Sequence, residues 1–315
     1  MESRPLGRTS LKVSVLSLGT MNFGSEWCGR KFVDDRTASS MLDAAMEAGV
    51  NLIDTADVYG LGACESMLGR LLGKRRGKLL LATKVCGEMR PGDPSSGGLS
   101  ARHISQALDD SLKRLRTDRV DLYMAHAPDP RVRVEETLEA FGKAVKAGKA
   151  RVVGCSNFSA EQLREALALA GGSRPRLEFN QVEYNLACRS IEADLVPFCE
   201  DEGVSILSWS PLGGGGLTCR YPGDRRRQEA LGMAPARLEG LAHVVEKVAV
   251  SEDLTPGQAA LGWVASKPWV ASAVFGASNV AQLKENLGAK ALDRRMASIL
   301  DKASALCLGR RGAES

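Results

Sequence analysis

Val120-Asp121-Leu122-Tyr123-Met124-Ala125, an amphipathic stretch at 134–147 stopped by Gly148, then Ala150-Arg151-Val152-Val153-Gly154 and a second amphipathic stretch at 160–170 stopped by Gly171-Gly172 make up the passage that decides the fold. A short apolar run bounded by turns reads as a strand covered on both faces. An apolar stripe at helical spacing that ends on glycine reads as a helix with its stop. Two such pairs in succession predict parallel strands joined by crossover helices.

The same unit extends in both directions. Upstream, strands are predicted at 15–19, 51–54 and 79–84, with helices at 36–48 (stopped by Gly49), 64–72 and 101–115. Residues 5–13 read as a hairpin around the turn Gly7 to Ser10. Downstream, a strand at 177–182 precedes a helix at 191–202, and a strand at 204–208 opens a unit with a long loop over 211–235. Helices at 236–250 and 256–266 follow, then a strand at 270–274 and helices at 280–289 and 296–306. The strand–helix repeat without a linker predicts an α/β fold, a (β/α)8 TIM barrel with an N-terminal β-hairpin and C-terminal extra helices, as one domain over 1–315. An open doubly wound sheet would place G-x-G-x-x-G after its first strand, and Leu18-Gly19-Thr20-Met21-Asn22-Phe23-Gly24 lacks that spacing.

Composition narrows the function. With 44% hydrophobic and 25% charged residues the chain is an ordinary globular sequence. It contains no apolar run long enough for a membrane span, and MESRPLGRTS lacks a signal-peptide pattern, so a cytoplasmic location is expected. The net charge of +4 is spread along the chain, which argues against nucleic-acid binding. Its 8 cysteines form no C-x-x-C pair and only 3 histidines accompany them, so no metal cluster is expected and the thiols read as free. Nothing in the sequence decides an oligomeric state.

In a barrel of this kind functional side chains sit at the carboxyl ends of the strands. Those ends carry Asp54, with Tyr59 five residues on, then Lys84, then His126. The set suits carbonyl reduction. Hydride arriving at a carbonyl carbon builds negative charge on oxygen, which needs a proton donor. A phenol near pKa 10 is a reluctant donor, and a neighbouring ammonium would stabilise phenolate. A carboxylate would hold that ammonium, and a histidine could orient the carbonyl oxygen. Singly each has a plainer reading: Asp54 as a helix cap, Tyr59 as a packed aromatic, His126 as a core histidine. Lys84, after four apolar residues, needs a partner in any case.

The sequence resembles the aldo-keto reductase superfamily over essentially its whole length. The resemblance is carried by Leu6-Gly7-Arg8-Thr9, Leu18-Gly19-Thr20-Met21-Asn22-Phe23-Gly24, Asp54-Thr55-Ala56-Asp57-Val58-Tyr59-Gly60 and Glu65-Ser66-Met67-Leu68-Gly69. It continues through Thr83-Lys84-Val85, His126-Ala127-Pro128-Asp129, Gly154-Cys155-Ser156-Asn157-Phe158 and Asn180-Gln181-Val182-Glu183-Tyr184-Asn185. Trp209-Ser210-Pro211-Leu212, Gly276-Ala277-Ser278-Asn279 and Glu285-Asn286-Leu287-Gly288 complete it. The branch it looks most like holds bacterial reductases and potassium-channel β-subunits.

The resemblance implies a barrel that binds a nicotinamide dinucleotide, usually NADPH, and a catalytic tetrad of Asp54, Tyr59, Lys84 and His126. It implies that Ser156, Asn157 and Gln181 hold the nicotinamide carboxamide, that Trp209 stacks on the ring, and that Thr20 and Met21 touch the same end. Ser210, Pro211, Leu212 and the glycines Gly213 to Gly216, Gly214 among them, match the turn that passes the pyrophosphate, with Arg220 as a phosphate cation. Gly276, Ser278, Gln282, Glu285 and Asn286 match the adenosine and 2′-phosphate pocket. Asn279 stands where many relatives carry an arginine for that phosphate, which leaves NADH possible, and Cys219 replaces the usual glycine. The run Arg225-Arg226-Arg227 reads as a solvated surface stretch or a substitute phosphate cation. Loops over 22–34, 85–99 and 217–235 would shape the substrate site, with Phe23, Trp27 and Met89 as possible apolar walls. The expected function is NAD(P)H-dependent reduction of a small aldehyde or ketone. The alternatives are a sugar or alcohol dehydrogenase working in reverse and a NADPH-binding regulatory protein. The channel subunits carry a different residue at the His126 position, so His126 argues for turnover.

Overall fold

The computed structural model describes residues 1–24, 32–218 and 235–309. Strands β1 (Ser3–Pro5) and β2 (Lys12–Ser14) form an antiparallel hairpin in which Arg4 pairs with Val13. The remaining strands are β3 (Leu16–Gly19), β4 (Leu52–Asp54), β5 (Leu80–Val85), β6 (Val120–Ala125), β7 (Ala150–Ser156), β8 (Phe179–Glu183), β9 (Ser205–Trp209) and β10 (Val270–Phe275). They pair in parallel, each with the next in the chain, and β10 closes on β3 to complete a barrel.

The crossover helices are α1 (Asp35–Glu47), α2 (Ala63–Leu71), α3 (Ala101–Leu115), α4 (Val134–Lys146), α5 (Ala160–Ala168) and α6 (Leu195–Glu202), followed by α7 (Pro235–Ser251), α8 (Pro256–Ala265), α9 (Val280–Leu287) and α10 (Arg294–Gly309). Their starts follow local chemistry. The side chains of Asp34, Ser100 and Ser159 each accept a first-turn amide, and Thr255 with Gln258 makes a capping box ahead of Pro256. The stops expected at Gly49 and Gly148 have φ of +86° and +71°, a region open to glycine at little cost. One helix starts later than its apolar pattern suggests. The stretch expected at 191–202 forms a 3₁₀ turn over Ser190–Glu192, and α6 begins only after Asp194 caps Leu195.

Two apolar layers result. One lies between the strands and the helices. The other fills the lumen, where Leu6, Leu11 and Val13 of the hairpin pack with Leu52, Leu122 and Leu207 and so plug the amino-terminal end of the barrel. The period of two along each strand then fixes what the opposite end presents. Leu52 faces the lumen, so Asp54 does too; Ala82 leads to Lys84, Leu122 and Met124 to His126, and Phe179 to Gln181. Gly154 leaves room for this packing, since a Cβ there would stand 2.6 Å from the Phe179 ring. Among the described residues no helix is long and apolar enough to cross a membrane.

Candidate active site

At the carboxyl end of the barrel the expected tetrad comes together. Lys84 is fully buried and donates to Asp54 Oδ1 at 2.6 Å, to the Thr55 carbonyl at 2.9 Å and to the Tyr59 hydroxyl at 3.4 Å. The His126 ring meets the Tyr59 ring edge to face, with centroids 5.7 Å apart. Just past Tyr59 the chain makes a tight turn in which Gly60 and Leu61 both have positive φ.

The electrostatics differ from the sequence-based expectation in one respect. The Tyr59 phenol is raised above its ordinary value, because burial outweighs the lowering by Lys84, and Asp54 adds to the rise. Burial also works to lower Lys84, but the charge of Asp54 and the contact with Tyr59 overcome it and hold the ammonium charged. Burial and the nearby Lys84 push His126 down to about 3, so its imidazole is neutral at physiological pH.

A hydrogen-bonded run continues from this group. Gln181 donates to Asp54 Oδ2 at 2.8 Å, and Ser156 donates to the Gln181 carbonyl at 2.7 Å. The Asn157 side-chain amide donates to the His126 carbonyl at 3.0 Å, and the Trp209 indole donates to Asn157 Oδ1 at 2.9 Å. Asn157 and Ser210, each just past the end of a strand, both adopt positive φ, 61° and 53°.

One cavity of about 520 Å³ extends from Tyr59 and His126, past Trp209, to Gln282, Glu285 and Asn286 of α9. Of the residues expected to touch cofactor, all line it except Gly213, Gly216 and Arg220, the last of which lies outside the described residues with Trp27, Cys219 and Arg225 to Arg227. Lys84 sits beneath the lining rather than in it. Val58, Phe275 and Thr218 also line the cavity, without any motif pointing to them beforehand. The cavity lining mixes the apolar faces of Val58, Trp209 and Phe275 with the hydroxyl and amide groups of Thr20, Ser156, Asn157 and Gln181, a donor set suited to a nicotinamide dinucleotide.

One expectation is corrected. Phe23 is no substrate wall: it is fully buried in the core between strands and helices, where its carbonyl accepts from Cys64. Met89 is absent from the cavity lining. The amides of Gly213, Gly214 and Gly215 are engaged within their own turn, Gly214 donating to Ser210 Oγ at 3.0 Å. The side chain of Asn279 caps α9 by accepting from Gln282, and no lysine or arginine stands among the described lining residues.

A closed parallel barrel with a lysine-linked phenol and a neutral histidine at its carboxyl mouth, beside an elongated cavity, defines a barrel oxidoreductase. The model of the aldo/keto reductase family matches residues 15–305, and the chain belongs to that family, whose chemistry is NAD(P)H-linked oxidoreduction. It is 35% identical to "Uncharacterized oxidoreductase YrpG" of Bacillus subtilis, over 96% of this chain and 95% of that protein. It is 34% identical to a "Probable voltage-gated potassium channel subunit beta" of Arabidopsis thaliana, over 93% and 92% of the two chains. "Protein tas" of Escherichia coli is likewise 34% identical, over 91% of this chain and 92% of its own.

Proposed function

We propose that this chain reduces a small aldehyde or ketone to the alcohol, with Tyr59 as the proton donor. The observation that carries the reading is the buried line from Asp54 through Lys84 to the Tyr59 hydroxyl, which opens on the same cavity as His126. When bound, a reduced nicotinamide supplies the hydride. Tyr59 gives its proton to the carbonyl oxygen, and Lys84 stabilises the phenolate left behind. Asp54 keeps Lys84 charged and oriented. His126, being neutral, offers an imidazole N–H to the carbonyl oxygen and adds no competing charge. Ser156, Asn157 and Gln181 would hold the carboxamide and Trp209 the ring, while Ser278, Gln282, Glu285 and Asn286 would surround the adenosine end.

NADPH is the proposed cofactor. NADH is the second reading, favoured by the absence of a cation among the described lining residues. A regulatory role is the third, since relatives include proteins named as channel subunits. The whole chain is read as one barrel domain acting in the cytoplasm. The test is consumption of NADPH and of NADH with aromatic aldehydes, diketones and keto sugars. Carbonyl-dependent consumption supports the enzyme, and the ratio of the two affinities decides the cofactor. Tight NADPH binding with no consumption by any carbonyl overturns the reductase reading in favour of the regulatory one.

A further inference from the structure

Behind the turn that carries Tyr59 lies a second group of charges that the proposed reduction leaves unused. Glu65 of α2 is fully buried and accepts from Arg114 of α3 at 2.7 Å and from the Thr83 hydroxyl of β5 at 2.5 Å. Asp54 is taken up by Lys84 at 2.6 Å. Each of these two cations therefore has a carboxylate of its own. Asp57 has none. It is 0% exposed; its Oδ1 accepts from the Val58 amide at 2.6 Å, and its Oδ2 has no hydrogen-bond partner.

The titratable groups that face Asp57 are Glu65 from α2, Arg114 from α3, Lys84 from β5 with Cys86 just past its end, and Tyr123 from β6. A third carboxylate in a dry space whose cations are already paired is held more readily as the acid, which carries no charge to solvate. The Asp57 amide also donates to the Lys84 carbonyl at 3.3 Å, and Tyr59 follows two residues later. An ionised Asp57 drawn toward water would therefore pull on both partners of the Lys84–Tyr59 contact.

We propose that Asp57 is a positioning residue that works as a neutral carboxylic acid, seating the turn that carries Tyr59 against the strand that carries Lys84, and that loss of its proton lowers turnover. Burial, reinforced by the charge of Glu65, pushes this carboxyl up to about 7, so the proton is lost within the physiological range. The proposal rests on the reductase reading above. Tyr59 and His126 titrate away from neutrality on either side, which leaves the neutral range to Asp57.

The test compares the pH dependence of kcat for the wild-type protein and Asp57→Asn, which copies the shape of the neutral acid. With an inactive ionised form, the wild type should fall roughly 25-fold as pH rises from about 6.5 to about 8.5, one step of a single ionisation. Asp57→Asn should match the wild type within about twofold at the lower pH and hold that rate throughout. Superimposable profiles overturn the proposal. Infrared spectroscopy reads the same proton without turnover. A carboxylic-acid band that titrates near neutral pH in the wild type, and is missing from Asp57→Asn or from Asp57→Ser should the first variant not fold, supports it. A wild-type spectrum with no such band overturns it. Loss of all carbonyl turnover with the band present counts against the reductase reading alone.

Discussion

The ammonium nitrogen of Lys84 stands 3.4 Å from the phenol oxygen of Tyr59. The same nitrogen is 2.6 Å from Asp54, so one buried cation is shared between a carboxylate and the phenol proposed to give up its proton. In a compartment with little water this attraction is far stronger than it would be at a surface. On the proposed chemistry the lysine has two functions, balancing Asp54 at rest and Tyr59 during proton transfer, and the two can be separated.

Lys84→Met should cost at least about a hundredfold in kcat. It should also destabilise the fold by roughly 3–5 kcal/mol, because Asp54 is left buried and unpaired. Adding Asp54→Asn to Lys84→Met should restore much of the stability and none of the turnover. Urea unfolding and steady-state rates on the single and double variants check both parts. A double variant as unstable as the single one would mean that Asp54 is not the source of the cost.

Asn157 joins the end of β6 to Trp209 through its two side-chain atoms. Asn157→Ala should weaken NADPH binding by about tenfold, the scale of one lost polar contact with its ordered neighbours. It should also alter the Trp209 fluorescence, since the indole loses its acceptor. Titration of the variant followed by tryptophan emission measures both. Unchanged affinity would remove Asn157 from the binding groups.

Neutral His126 has consequences for stability as well as for chemistry. Its value in the folded chain is about 3, against an ordinary value of 6.5. As pH falls between those values the unfolded chain takes up a proton that the folded one refuses, so stability present above about 6.5 is lost towards about 3. His126→Asn should show a shallower loss of stability over that window. Chemical denaturation at a series of pH values is the measurement, and parallel curves would contradict a neutral, desolvated His126.

Gly154 offers a purely steric test. A Cβ at this position would meet both the ring and the carbonyl oxygen of Phe179 at 2.6 Å. Gly154→Ala should therefore destabilise by about 1–3 kcal/mol through overpacking of the lumen. The denaturation midpoint reports it, and a midpoint equal to that of the wild type would show that Phe179 has room to move.

Much of this arrangement was legible in the sequence because it follows from periodicity. Once 52, 82 and 122 are read as strand positions facing one way, Asp54, Lys84 and His126 must follow on the same face. The strand–helix alternation also anticipates the order in which the barrel closes. What escaped depends on contacts between distant segments. Arg114 reaches Glu65 across 49 positions, and nothing in the spacing of either announces the pairing or the carboxyl of Asp57 left beside it. Phe23 reads as a mouth residue because it follows a strand, but it forms a parallel bridge with Val33 and is buried in the core. The late start of α6 comes from a single cap, Asp194, inside a stretch whose apolar spacing runs straight through it.

The most direct test of the proposed chemistry is the rate of reduced-cofactor consumption by Tyr59→Phe beside the wild type, with cofactor affinity measured on both. Removing one oxygen atom should abolish carbonyl-dependent turnover, a loss of about a thousandfold or more, while NADPH binds both proteins within about twofold. A variant that keeps its turnover would show that the proton comes from elsewhere and that the line from Asp54 through Lys84 to Tyr59 does not carry the reaction.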